Sequence, residues 1–121
     1  MRRDDLVRLT HMLQAAKDAM EFAKGKSRED LNNDRMLVLS RVKSIEIIGE
    51  AAAKVSAETR RQARQIPWKD IVAMRNRLIH VYYNIDLDRV WDTVRADLPP
   101  LLDKLQTIIA QEELPLAKHE T

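Results

Sequence analysis

A chain of 121 residues, 45% of them hydrophobic, can build one packed core but not two domains. Its 21 Lys and Arg against 19 Asp and Glu leave a formal charge of only +2, which argues for nucleic-acid binding only if charge is gathered on one face. The absence of cysteine excludes disulfides and thiolate metal sites, and His11, His80 and His119 lie too far apart for ligand spacing, so no metal and no cofactor are expected. The opening Met1–Asp5 leads into an amphipathic stretch, and no window approaches the ~18 apolar residues of a membrane span. The expectation is a soluble, cytoplasmic protein with no membrane partner.

Only two glycines, with abundant Leu, Ala, Arg, Lys, Asp and Glu, predict an all-α fold: an antiparallel bundle of four to five helices. The first helix is expected from about Asp4 to Lys24, where Leu6, Leu9, Leu13, Ala16, Met20 and Ala23 recur every three or four residues. Gly25 ends it, and Ser27-Arg-Glu-Asp30 has the form of a capping box opening a short turn. Asn32-Asn33-Asp34 then offers side-chain oxygens to cap a second long helix reaching about Val55. Its stripe is Val38, Val42, Ile45, Gly49 and Ala52. A glycine inside a helix costs about 1 kcal/mol relative to alanine, so Gly49 predicts close approach of another backbone. On the same helix Glu46 and Glu50 read either as surface partners of Lys43 and Lys54, or as carboxylates that pair with Arg75 or orient His80.

Residues 57–66 form a short helical connector, and Pro67 suits an early position of the third helix. That helix frays near Tyr82 or Tyr83. Asp86 caps the fourth, with Ile85 and Val90 as a hydrophobic staple. Its stripe runs Leu87, Val90, Trp91, Val94, Leu98, Leu101, Leu105 and Ile108 and keeps phase across Pro99-Pro100. Phase favours one kinked helix, whereas two prolines favour a break with Asp97 as a new cap. One domain is expected over 1–113, followed by a disordered tail at 114–121.

The segment with most chemistry is Arg75-Asn-Arg-Leu-Ile-His-Val-Tyr82. On an ideal helix Trp68, Ile71, Val72, Leu78, Ile79 and Tyr82 fall within roughly 60° of Arg75, so an always-charged guanidinium stands in the middle of an apolar stripe. There it must be paired, hydrogen-bonded or directed into an interface groove. Arg60, Arg61, Arg64, Lys69 and Arg77 gather further charge around it, as a binding face or as a solvated one. RNA cleavage without a metal needs a base for the 2'-hydroxyl proton, an acid for the leaving oxygen and positive charge on the transition state. Histidine near neutrality suits the first two roles and the arginine fork suits the third, which selects His80 and Arg75. A bland reading stands beside each: His80 as a charge at a helix C-terminus, hydrogen-bonded by Asn76 or Tyr83; Arg75 as a dimer salt bridge; Tyr82 and Tyr83 as core-edge residues. Five helical residues turn Arg75 and His80 about 140° apart, a difficulty that a symmetric dimer relieves by setting Arg75 of one chain near His80 of the other.

Arg75-x4-His80-x-Tyr82, with Ile47-Ile-Gly-Glu-Ala-Ala52, Ile66-Pro-Trp68 and Asp86-Leu-Asp-Arg-Val-Trp91 in order, resembles the HepT-type HEPN domains, the toxin half of HEPN/nucleotidyltransferase toxin-antitoxin pairs. The resemblance covers roughly residues 4 to 110. It implies a HEPN-like bundle and a homodimeric endoribonuclease whose motifs meet in a cleft between protomers. Arg75 and His80 are implied as catalytic, with Asn76 in the polar position after the motif arginine. It also implies Tyr82 as the residue to which a cognate nucleotidyltransferase antitoxin attaches AMP, placing phosphate and base where RNA would lie. The competing expectation is a non-catalytic helical partner subunit of a minimal nucleotidyltransferase.

Overall fold

A computed structural model describes residues 1–79 and 85–120, and the side chains among these except 77–79 and 114–120. Helix α1 spans Arg3–Ala23, α2 Asp30–Asn33, α3 Arg35–Lys54, α4 Ala57–Gln62, α5 Trp68–Ile79 and α6 Leu87–Asp92; a π-helical segment, Thr93–Asp97, joins α6 to α7, Leu98–Glu120. The expected all-α bundle is present. The backbone of 114–120, where a disordered tail was expected, continues α7; side chains 114–120 and residue 121 lie outside the described residues. Among the described residues no helix is long and apolar enough to cross a membrane.

The helix ends follow local chemistry. Gly25 stops α1 by taking φ +73, a left-handed conformation that glycine adopts without penalty. The Ser27 amide donates to the Asp30 carboxylate at 2.7 Å, closing the expected capping box from its acidic side and holding the Asp30 carboxyl below its usual range. Asp34 accepts from the Leu37 amide at the start of α3, Ser56 from Thr59 at α4 and Asp86 from Arg89 at α6. The Pro67 carbonyl accepts from Ile71 one residue before α5.

Helix α1 packs between α3 and α7, and α3 in turn between α1 and α5. Neighbours run antiparallel: Asp5 near the start of α1 bonds Ser56 just beyond α3, and the amino terminus lies 3.7 Å from Glu112 near the end of the chain. The main core gathers Leu9, Met12, Ile48, Ile66, Leu98 and Leu105, each essentially inaccessible. Burying such a side chain is worth about 1.5–3 kcal/mol. A smaller cluster of Leu31, Leu37, Val38, Val42, Ile45 and Val90 closes the other end, with Ile85 packed against it as the staple requires.

Both readings of the double proline are answered by the π-helical segment. The Leu98 amide donates to the Thr93 carbonyl five residues back, and Leu98 itself is helical at φ −71, ψ −39. Widening the ring by one residue shifts the carbonyls with which the rings of Pro99 and Pro100 would collide, so the chain continues without a break. Asp97 lies within the π turns rather than opening a new helix. The inward stripe Val90, Val94, Leu98, Leu101, Leu105, Ile108 keeps its phase throughout.

Arg41 was not singled out by the sequence, yet its guanidinium is fully buried, and none of its three nitrogens has an acceptor among the described residues. It stacks 5.5 Å from the centre of the Trp91 ring; desolvation lowers its pKa and the charge of Asp30 opposes that shift. An unbonded buried cation is more often a burden on stability than a support. Arg41→Met, which keeps the length and removes the charge, is therefore expected to leave the thermal midpoint unchanged or to raise it by several degrees, as read by circular dichroism. A loss of ten degrees would mean that the Trp91 contact outweighs the desolvation.

Candidate functional site

The site is built from the middle of α5. Trp68 and Ile71 are buried and Val72 is half-buried in the main core, where α5 packs on α3, and Trp68 anchors the helix by donating its indole N–H to the Ala63 carbonyl at 3.0 Å. Two turns on, Arg75 continues this face with its side chain 29% exposed. Its stem lies on Gly49 of α3: a Cβ built on Gly49 would stand 2.7 Å from Arg75 Cγ and 3.0 Å from Cδ, and closer still to Cβ. The close approach expected at Gly49 is present, but what approaches is an arginine stem rather than a backbone.

At the far end, Arg75 Nη2 is 4.0 Å from Glu50 Oε1, while Nε is buried with no acceptor among the described residues. Of the two readings of Glu50, the ion pair to Arg75 is the one formed. At that separation it is a loose charge contact rather than a bidentate hydrogen-bonded fork. Glu46, one turn earlier, is buried. Asn76 follows Arg75 on α5 and is exposed. His80 and Tyr82, with Tyr83, lie outside the described residues, so Arg75 and Asn76 are the two expected site residues whose positions the structure gives.

The basic cluster divides. Arg60 donates from Nη2 to the Ala52 carbonyl at 2.7 Å and stacks 5.6 Å from the Trp68 ring, so it closes the end of α3 and braces α5. Arg61, Arg64 and Lys69 are exposed. A cavity of about 780 Å³ between α5 and the α6 to α7 rod is lined by Asp70, Asp86, Asp88, Asp92 and Asp97 against Arg89 and Lys104, the wrong balance for a polyanion. A second groove of about 330 Å³ runs between α1 and α3, with His11, Arg8, Lys54 and Glu50 on its walls, and so adjoins the Arg75 ion pair.

Sequence reasoning missed one polar centre outside this region. Asp5 is 1% exposed and accepts from the Ser56 amide at 3.0 Å, the Ser56 hydroxyl at 2.6 Å and the Thr59 hydroxyl at 2.7 Å, with Arg8 at 3.7 Å. Its hydrogen-bond partners lie more than fifty residues away, and no local pattern signals them.

The bundle thus presents on α5 a half-buried arginine with a loose counter-ion. Residues 12–108 match the family described as Ribonuclease HepT-like, and the chain belongs to that family, which places it among the ribonucleases. It is 36% identical over 105 residues to a protein of Caldanaerobacter subterraneus subsp. tengcongensis provisionally named an RNase, covering 87% of this chain and 94% of the relative. A Methanocaldococcus jannaschii protein, also provisionally named an RNase, is 32% identical over 107 residues, covering 88% and 98%. A Thermococcus cleftensis protein provisionally named ribonuclease HepT is 31% identical over 108 residues, covering 89% and 98%. No solved structure matches significantly.

Proposed function

We propose that this chain is a metal-independent endoribonuclease toxin, acting as a homodimer at a composite site of Arg75, His80 and Asn76. The observation that carries this reading is the state of Arg75: a guanidinium held at the edge of an apolar interface by its stem, with one carboxylate at 4.0 Å, retains its planar fork for a phosphate. In the reaction His80 accepts the 2'-hydroxyl proton, the 2'-oxygen bonds to phosphorus, and the bond to the 5'-oxygen breaks as that oxygen takes a proton from an imidazolium. Arg75 stabilises the charge that builds on the phosphoryl oxygens, and Asn76 supplies a neutral donor beside it. The products are a 2',3'-cyclic phosphate and a 5'-hydroxyl. Exposed Met36, Leu39 and Ile47 on one side of α3, with Val7 on α1, offer apolar surface that a second copy would cover. A cognate nucleotidyltransferase antitoxin silences the toxin by attaching AMP to Tyr82, which sets negative phosphate against incoming RNA.

The test uses purified protein in a chelator-containing buffer with an RNA oligonucleotide and its fully 2'-O-methylated counterpart. Cleavage of the first alone, with cyclic-phosphate ends by mass spectrometry, is expected. Products ending in 3'-hydroxyl and 5'-phosphate, or cleavage of both, would overturn the mechanism. The same apolar surface also suits the alternative, a non-catalytic subunit docked on a nucleotidyltransferase. Growth arrest on induced expression that disappears in His80→Ala separates the two, because the alternative makes no use of the imidazole.

A further inference from the structure

We infer that Gly49 and Glu50 are positioning residues for Arg75, a two-residue seat on α3 that aims the guanidinium before substrate arrives; this rests on the ribonuclease reading above. An arginine side chain has several rotatable bonds, and a group meant to stabilise a transition state is effective only if its orientation is set beforehand. Gly49 has an ordinary helical backbone, the positive φ among the described residues being that of Gly25. Conformational freedom therefore does not explain it. The space left by its missing side chain does: the three atoms nearest a built Cβ are all from Arg75, namely Cβ, Cγ and Cδ. The notch is shaped to one side chain.

The next residue completes the seat. Glu50 is half-exposed and reaches Arg75 Nη2 at 4.0 Å, near enough to orient the cation by charge and too far to occupy its N–H groups with hydrogen bonds. Nε is sealed inside. The fork is thus held by its stem and one carboxylate, and among the described residues no hydrogen bond engages its donors, so an incoming phosphate has a long charge contact to outcompete there.

The experiment has two arms. In the first, Gly49→Ala and Glu50→Gln are assayed on RNA below their melting temperatures, with binding of uncleavable 2'-O-methyl RNA measured in parallel. Gly49→Ala should lower kcat by about 10- to 100-fold and Glu50→Gln by a smaller factor, with binding of the uncleavable RNA little changed, as expected when a catalytic group is tilted by about an ångström. In the second, the thermal midpoint of Gly49→Ala is compared in wild type and in Arg75→Gly. The substitution should lower the midpoint in wild type, where the stem is in the way, and raise it in Arg75→Gly, where the notch is empty and alanine is the better helix former. Full kcat in a folded Gly49→Ala, or the same midpoint loss in both backgrounds, would overturn the seat. If wild type cleaves no RNA at all the ribonuclease reading falls, and the midpoint comparison still decides whether Gly49 exists to house Arg75.

Discussion

Replacing Arg75 by alanine is expected to lower RNA cleavage by about 10²- to 10³-fold, the usual consequence of removing one preorganised donor to a developing oxyanion. Because the stem packs on Gly49, alanine also removes contacts, and a loss of folded protein could imitate a loss of chemistry. Arg75→Lys separates the two. Lysine keeps the carbons that lie in the notch and keeps a positive charge facing Glu50, but it replaces a planar fork with a point charge. Its thermal midpoint should stay close to wild type while cleavage falls about tenfold or more. Initial rates at matched folded concentration, with melting curves on the same samples, make the check. Wild-type rates in Arg75→Lys would reduce the guanidinium to a structural partner of Glu50.

The largest effect on stability is expected at Asp5. Its carboxylate ties the first turn of α1 to the junction of α3 and α4 through three hydrogen bonds and the charge of Arg8. Asp5→Ala leaves an amide, two hydroxyls and a cation facing a cavity, and breaking a buried network of this kind costs about 3–5 kcal/mol. For a chain of this size that is a fall of about 10–20 °C in midpoint. Asp5→Asn keeps one acceptor oxygen and should lose less.

The same residue makes stability depend on pH. Burial by itself would raise the Asp5 carboxyl, but the hydrogen bonds from Ser56 and Thr59 and the charge of Arg8 outweigh it, and the net shift is downward. In the unfolded chain an aspartate titrates near pH ~3.9. As pH falls through that value the unfolded state takes up the proton first, which favours unfolding. The contribution of Asp5 is therefore complete above about pH 5 and is lost as pH falls toward the lower folded pKa. Denaturant unfolding of wild type and Asp5→Asn between neutral and acid pH measures it. The gap between the two should narrow as the solution is acidified, and a gap that widens would contradict the sign.

Caps and stops were legible in the sequence because they are local: Gly25, Asp34 and Asp86 act on amides within a few residues, and a short window contains both partners. The stripe through Pro99-Pro100 was legible in phase but not in form. Inserting a π turn or starting a new helix leaves the same residues inward, and the choice between them depends on how the proline rings clear the carbonyls behind them. Gly49 occupied a middle position. Its helix penalty announced that something came close, yet the neighbour, twenty-six residues later, could not be read until α3 and α5 were packed. Arg60, read as part of either a binding face or a solvated one, instead engages the Ala52 carbonyl and the Trp68 ring.

The sequence by itself determined the all-α class, the starts of most helices, most of the inward faces and the motif of Arg75, Asn76, His80 and Tyr82, because periodicity, capping and residue chemistry act over a few residues along the chain. Only the tertiary structure decided that Arg75 rests on Gly49 and faces Glu50, that Asp5 holds Ser56 and Thr59, and that Arg41 is buried over Trp91. Those contacts join helices far apart in the chain, and their partners follow from how faces pack in three dimensions rather than from any spacing in one.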